Sequence, residues 1–230
     1  MEKFLTLYHG SREIIENPVF GLGKAHNDFG LAFYCTESND MAKEWAVSSL
    51  QNGFSNKYLL NTECLNILNL NSPEYTILNW ITVLIEHRLF SIKSPVANRA
   101  KKYLTENFSV NVNAYDVIIG YRADDSYFDY AELFLNNGLS VEQLSRAMRL
   151  GKLGEQIAVK SKLAFSCLEY KGFEEADKDL YYIKRKNRDE EANKNYFEIL
   201  QEADDGLYIR DIIKEGITNE DIRLRGKLSC

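Results

Sequence analysis

Apolar positions fall in short blocks separated by loops rich in Gly and Pro. In "FLTLYHG", Phe4, Leu5, Leu7 and Tyr8 form a run that predicts a strand, broken at Gly10. A long loop through Pro18, Gly21 and Gly23 reaches "DFG", after which "LAFYCT" predicts a second strand. Ser38, Asn39 and Asp40 are candidate caps for a helix over "MAKEWAVSSLQ", where Met41 recurs with Trp45 and Ala42 with Ala46 at helical spacing. "KYLL" and "CLNILNL" predict strand material. "PEYTILNWITVLIEHRLF" predicts a helix whose apolar residues surround the axis, as burial requires.

A more polar helix is predicted over "VANRAKKYLTENF", followed by the β-branched run "YDVIIGY", a buried strand that "RADD" closes. Helices over "SYFDYAELFLNN" and "SVEQLSRAMRL" precede a loop framed by Gly151 and Gly154, and two further strands are expected in "EQIAVKS" and "AFSCLEY". From Gly172 the composition changes to the charge-dense, helix-favouring "YYIKRKNRDEEANKNYFEIL", and "GLYIRDIIKEG" predicts a last helical face through Leu207, Ile209, Ile212 and Ile213. The expected organisation is an α+β domain over residues 1–171 with a helical C-terminal extension over 172–230 packed back on it. The charged helix reads first as a solvated face and second as a partner surface.

Composition narrows the function classes. The chain of 230 residues is 45% hydrophobic, enough for a real core. There is no basic leader and no apolar stretch of about 18 residues, and "YTILNWITVLI" is short and contains Asn79, so a soluble cytoplasmic protein with no membrane partner is expected. A net charge of −6 makes phosphate-rich nucleic acid a weaker default partner than protein or a small molecule. Cys35, Cys64, Cys167 and Cys230 form no CxxC pair and read as buried free thiols.

Several chemistries fall away on spacing. His9, His26 and His87 are scattered outside any HExxH pattern, so no metal is expected. No G-x-S-x-G elbow is present, and "GLGKAHNDFG" has neither P-loop nor GxGxxG spacing. What remains is "LYHGS" followed by the "DFGLAFYCT" block with Trp45 downstream, and a late "GEQIAVKS".

In these three stretches the chain resembles the ADP-ribosyltransferase superfamily, in its diphtheria-toxin and poly-ADP-ribose-polymerase branch. There a strand-end His-Gly is followed by a Gly-aliphatic-Tyr strand leading to a helix, and later by a Glu at the start of a strand. The resemblance is nearest to a bacterial family known chiefly as a domain of unknown function, with YHGS, DFGxGFYxT and QIx[FV]K[TS] blocks, and it covers essentially the whole chain. It implies a split β-sheet core with flanking helices and NAD as the substrate, without a metal. His9 would hydrogen-bond the nicotinamide-side ribose, Gly10 would hold the carboxamide by its backbone, and Tyr34 would stack on nicotinamide. Ser11, Gly30, Phe33, Thr36 and Trp45 complete the implied binding set, with core packing the competing role for Trp45. The third landmark falls on Gln156 or on its neighbour Glu155; a one-residue change of register decides which faces the site. Ala32 stands where the family usually has glycine, and its methyl tightens the slot.

The chemistry is coherent with those residue types. Cleavage of the glycosidic bond passes through an oxocarbenium-like state, so a site must hold nicotinamide flat against an aromatic ring and fix the ribose hydroxyls. Asp28 is expected to organise the loop before Phe29 and Gly30, and Asp124 and Asp125 either to organise a turn or to contact ribose or acceptor. Three functions compete: transfer of ADP-ribose to a macromolecular acceptor, protein before nucleic acid; a non-catalytic NAD-binding or protein-interaction module; and an RNA 2′-phosphotransferase, disfavoured by the acidic balance and the few histidines. The resemblance further implies, by analogy at family level, a bacterial toxin or effector with a small neutralising protein as its expected partner.

Overall fold

A computed structural model of the chain describes residues 3–90, 92–122, 125–148, 155–202 and 205–225, the side chains of 125–128 excepted. Strand β1 (Phe4–Ser11) is followed after a long loop by β2 (Phe33–Cys35). Ser38 caps α1 (Asn39–Ala46), its hydroxyl accepting from the Met41 N–H at 3.2 Å. The helix expected to reach Gln51 stops at Ala46, because Ser48 closes a turn with Gln51 and side-chain hydroxyls at 48 and 49 offer the backbone a competing partner.

Strands β3 (Gly53–Asn61) and β4 (Ile67–Asn69) precede α2 (Ile77–His87) and α3 (Pro95–Phe108). Asn79, the polar residue inside an otherwise apolar helix, is buried and fully used: it accepts from the Thr76 N–H at 2.8 Å and donates to the Phe108 carbonyl at 3.0 Å, tying the start of α2 to the end of α3. β5 (Val117–Tyr121) leads to α4 (Asp125–Leu135) and α5 (Val141–Ala147), then β6 (Glu155–Val159). The strand expected over "AFSCLEY" divides into two elements. Ser161 caps a short helix, α6 (Lys162–Ser166), by accepting from Ala164 N–H, and β7 (Leu168–Ala176) begins only after it. The expected boundary at 172 falls inside β7, and the helical region starts at α7 (Lys178–Gln201) and ends with α8 (Ile209–Glu215). Gly151, Gly154, Asp124 and Cys230 lie outside the described residues, as does the side chain of Asp125.

The strands form two sheets in an α+β fold. One is antiparallel, in the order β1-β3-β7; the other runs β2-β6-β5-β4, with only the β4–β5 pair parallel. Among the described residues one bridge joins them: Tyr8 N–H donates to the Thr36 carbonyl at 2.7 Å and Thr36 N–H to the Tyr8 carbonyl at 2.9 Å. Leu7, Tyr58 and Leu60 of the first sheet share a core with Cys35, Val117, Ile157 and Val159 of the second. On the far side of the second sheet, Leu68, Ile118 and Ala158 meet Trp80, Leu84, Leu104, Phe134 and Ile212 from the helices. Both faces of β5 are therefore covered, which is why "VII" reads as a continuous apolar run instead of alternating.

α1 is pressed onto the first sheet at two glycines. A Cβ on Gly10 would lie 2.0 Å from the Ala42 carbonyl oxygen, and one on Gly53 2.3 Å from that of Ala46. α7 packs back through Tyr181 against Ala46, Val47 and Ala176 and pairs Arg188 with Glu44 of α1. Among the described residues no helix is long and apolar enough to cross a membrane, and no cluster of His, Cys, Asp and Glu could hold a metal ion. Cys35, Cys64 and Cys167 are free thiols; Cys35 is fully buried, which pushes its pKa up, while Cys64 is exposed.

Candidate functional site

The end of β1, the 12–32 loop, β2, α1 and the start of β6 enclose a cleft of about 800 Å3. This volume is in the range of small-molecule and cofactor sites. His9, Gly10, Ala32, Phe33, Tyr34, Trp45 and Gln156 all line it, so residues up to 147 positions apart in the chain converge on one space.

The ring of His9 is placed by two contacts. It stacks on Phe33 with centroids 4.3 Å apart, and Phe33 is in turn buttressed edge-on by Tyr58 at 5.5 Å. Its Nδ1 lies 2.6 Å from the Tyr34 carbonyl. A carbonyl can only accept, so Nδ1 carries the proton and Nε2 is left as the ring's acceptor. Burial lowers the His9 pKa below its usual value, against the opposing pull of that carbonyl, and favours the neutral ring.

Tyr34 is fixed at both ends. Its backbone carbonyl holds His9, and its hydroxyl donates to the Gly30 carbonyl at 2.7 Å while accepting from the Phe29 N–H at 3.0 Å. Burial raises its pKa, so the phenol stays protonated. The two bonds explain "DFG" as a unit: the turn at Phe29 and Gly30 wraps around the tip of Tyr34. Gly30 adopts φ +77°, and a Cβ there would lie 2.7 Å from the His87 ring, so conformation and space both require glycine.

Gln156 lines the cleft and Glu155 does not. Strand alternation puts Gln156 on the cleft face of β6, while Glu155 is exposed and accepts from the Asn71 side chain. The Gln156 amide nitrogen donates to Asp28 Oδ2 at 2.6 Å and to the Tyr121 carbonyl at 3.2 Å. Both partners are acceptors, which settles the orientation of the amide and leaves Oε1 as the end available to a ligand. Asp28 is 3% exposed and pairs its other oxygen with Arg88 Nε at 2.7 Å.

The remaining expected residues separate into two groups. Trp45 forms a cleft wall, with the Arg122 guanidinium 4.3 Å above its ring and its own Nε1 buried without a hydrogen-bond partner among the described residues. Ser11, Gly30 and Thr36 do not line the cleft. Ser11 accepts from the Glu13 N–H at 3.1 Å, Thr36 accepts from the Ser38 N–H at 3.2 Å on the way into α1, and Gly30 faces a smaller cavity behind the "DFG" turn. Gly10 does line the cleft, but its missing side chain is accounted for by the approach of α1.

Sequence reading alone did not assign Asp28, Arg88, Arg122 or Lys160 to the site, although all four line the cleft. Asp28 was visible as the carboxylate of "NDFG", but its loop role hid the contact with Gln156, 128 residues away. Its loop role is real as well: the carboxylate anchors the turn to Arg88 at the end of α2.

A family model described as "Protein of unknown function (DUF3990)" matches residues 5–170, a span containing every residue of the cleft named above. No curated protein and no solved structure matches the chain.

Proposed function

The chain belongs to the protein family of unknown function DUF3990, and from the chemistry of its cleft we propose that it is an NAD-dependent ADP-ribosyltransferase of the kind its sequence resembles. The observation that carries the proposal is the convergence of His9, Tyr34 and Gln156 from three separate strands onto one cleft of suitable volume. Flat aromatic walls at Phe33, Tyr34 and Trp45 suit a nicotinamide ring, and Arg122 and Lys160 suit the charge of a dinucleotide.

In this reading neutral His9 accepts a ribose hydroxyl at Nε2, and Gln156 Oε1 accepts a second. The bond between nicotinamide nitrogen and ribose C1′ breaks with its electron pair leaving on nicotinamide. The acceptor's nucleophile then bonds to C1′ and loses its proton to solvent or to a base of the acceptor complex. An amide stabilises developing positive charge less than a carboxylate does. Here the amide is backed by Asp28, whose charge polarises it toward the cleft, while Arg88 offsets part of that charge. Turnover is therefore expected to be slow without the correct acceptor.

The acceptor is a macromolecule, protein before nucleic acid on the chain's net charge of −6. A non-catalytic NAD-binding module is the second reading, favoured by one specific observation: the landmark position holds a neutral glutamine with both amide protons engaged. Incubation with NAD labelled in the adenylate and in nicotinamide, in a bacterial lysate, separates the two. Label transferred to protein or nucleic acid together with free nicotinamide, both lost in His9→Ala, supports the transferase. Calorimetric binding of NAD with no nicotinamide release under any acceptor condition supports the binding module.

A further inference from the structure

Behind the "DFG" turn lies a second cavity of about 410 Å3, lined by Ala25, Gly30, Leu31, His87, Asn113, Tyr115, Lys160 and Ser161. Among the described residues no Asp or Glu is in this lining, although the chain carries 34 acidic side chains against 28 basic ones. Lys160 lines both this cavity and the larger cleft.

The state of Lys160 is unusual. It is half-buried, and the one hydrogen bond of its ammonium among the described residues is to the Phe29 carbonyl at 2.6 Å. No carboxylate lies within ion-pair distance of it among those residues, whereas neighbouring Arg88 is paired with Asp28. An ammonium has three protons to donate, so two remain, and burial without a counter-charge costs stability, as its lowered pKa reflects. The Ser161 hydroxyl accepts from Ala164 N–H and keeps its own proton to donate, and Asn113 adds an exposed side-chain amide. Nothing in the packing of the "DFG" turn requires a cation, since a water molecule or a neutral donor serves the Phe29 carbonyl equally well.

We propose that this second cavity is an anion site that takes a phosphoryl group, with Lys160 as its charged anchor and Ser161 and Asn113 as neutral donors. Phosphate supplies several acceptor oxygens to a compact cluster of donors and the negative charge that Lys160 lacks. The site shares Lys160 with the larger cleft, but Ser161 and Asn113 line only the second cavity, and neither His9, Tyr34 nor Gln156 takes part in it.

The test is a titration of wild type, Lys160→Gln and Lys160→Arg with inorganic phosphate and, separately, with ADP-ribose, following the backbone amides of Gly30 and Ser161 by NMR. Saturable phosphate binding that weakens at least about tenfold in Lys160→Gln and is largely kept in Lys160→Arg supports the site, as expected for loss of a charged donor. Binding of ADP-ribose alone, with the same dependence on Lys160 and undiminished in His9→Ala, supports it with the phosphoryl group arriving on a nucleotide, whereas ADP-ribose binding that is lost in His9→Ala as well places the ligand in the larger cleft and overturns it. Equal affinity of wild type and Lys160→Gln for both probes, or no saturable shift with either, overturns it. Phosphate binding is expected to persist in His9→Ala, so failure of the transferase reading and failure of this site are distinguishable.

Discussion

The side-chain amide of Gln156 donates to the Asp28 carboxylate at 2.6 Å, and this one bond determines what the landmark position of the cleft can tolerate. Restoring a glutamate there, as the resemblance to transferases invites, would set two carboxylates against each other. Gln156→Glu is expected to be less stable than wild type at neutral pH. The pair holds one proton to higher pH than a free glutamate with its pKa of about 4.3, so the folded variant binds more protons than the unfolded chain. The deficit therefore shrinks in acid and grows as pH rises through the raised value. Denaturant unfolding of both proteins at pH 5 and pH 8 measures it, and a deficit independent of pH would show that Asp28 does not act on this position.

The half-buried His9 has the opposite sign. Its folded pKa is lowered, so the unfolded chain takes up a proton first as pH falls through about 6.5. Stability present above that pH is lost progressively below it. Between pH 7.5 and 5.5 wild type is expected to lose more unfolding free energy than His9→Gln, which cannot titrate. Parallel losses in the two proteins would mean that His9 is solvated enough to keep its ordinary pKa.

The two tryptophans report separately. Trp80 is 1% exposed in the helical core with its Nε1 donating to the Tyr121 carbonyl, whereas Trp45 forms a wall of the cleft. NAD entering the cleft is expected to quench tryptophan emission, to keep doing so in Trp80→Phe, and to stop in Trp45→Phe. Quenching that survives in Trp45→Phe would move the ligand away from this wall.

Gly10→Ala is expected to destabilise the protein by about 3 kcal/mol or more, at the upper end of overpacking costs, because its methyl meets backbone and no flexible side chain can yield. Thermal unfolding measures the loss. A variant as stable as wild type would imply that α1 can lift from β1, and with it Trp45.

Much of the fold follows from local signals. The apolar runs at Phe4–Tyr8 and Val117–Ile119, and the serines at 38, 94 and 140, mark strands and helix starts through chemistry confined to a few neighbouring residues. "AFSCLEY" misled because Phe, Cys, Leu and Tyr fit a strand, while the deciding residue, the Ser161 cap, lies outside the block. In the site, His9, Tyr34 and Gln156 carry recognisable neighbours in sequence. Asp28 and Lys160 stand inside the quoted blocks and Arg88 outside them, but none of the three shows its role there, because those roles arise only when α2 and β6 are brought against the "DFG" turn. Gly10 was legible as a requirement for glycine but not for its reason, since the atom it makes room for belongs to Ala42.

The bridge between Tyr8 and Thr36 gives the molecule a mechanical character. His9 and, through α1, Trp45 move with the first sheet, while Tyr34 and Gln156 belong to the second. Any molecule lodged between them acts as a rivet across the seam. Its grip then adds to resistance against unfolding, by about 2.7 kcal/mol at a hundredfold excess over the dissociation constant. The melting temperature of the chain thereby becomes a gauge of occupancy, readable before any product of the reaction is known.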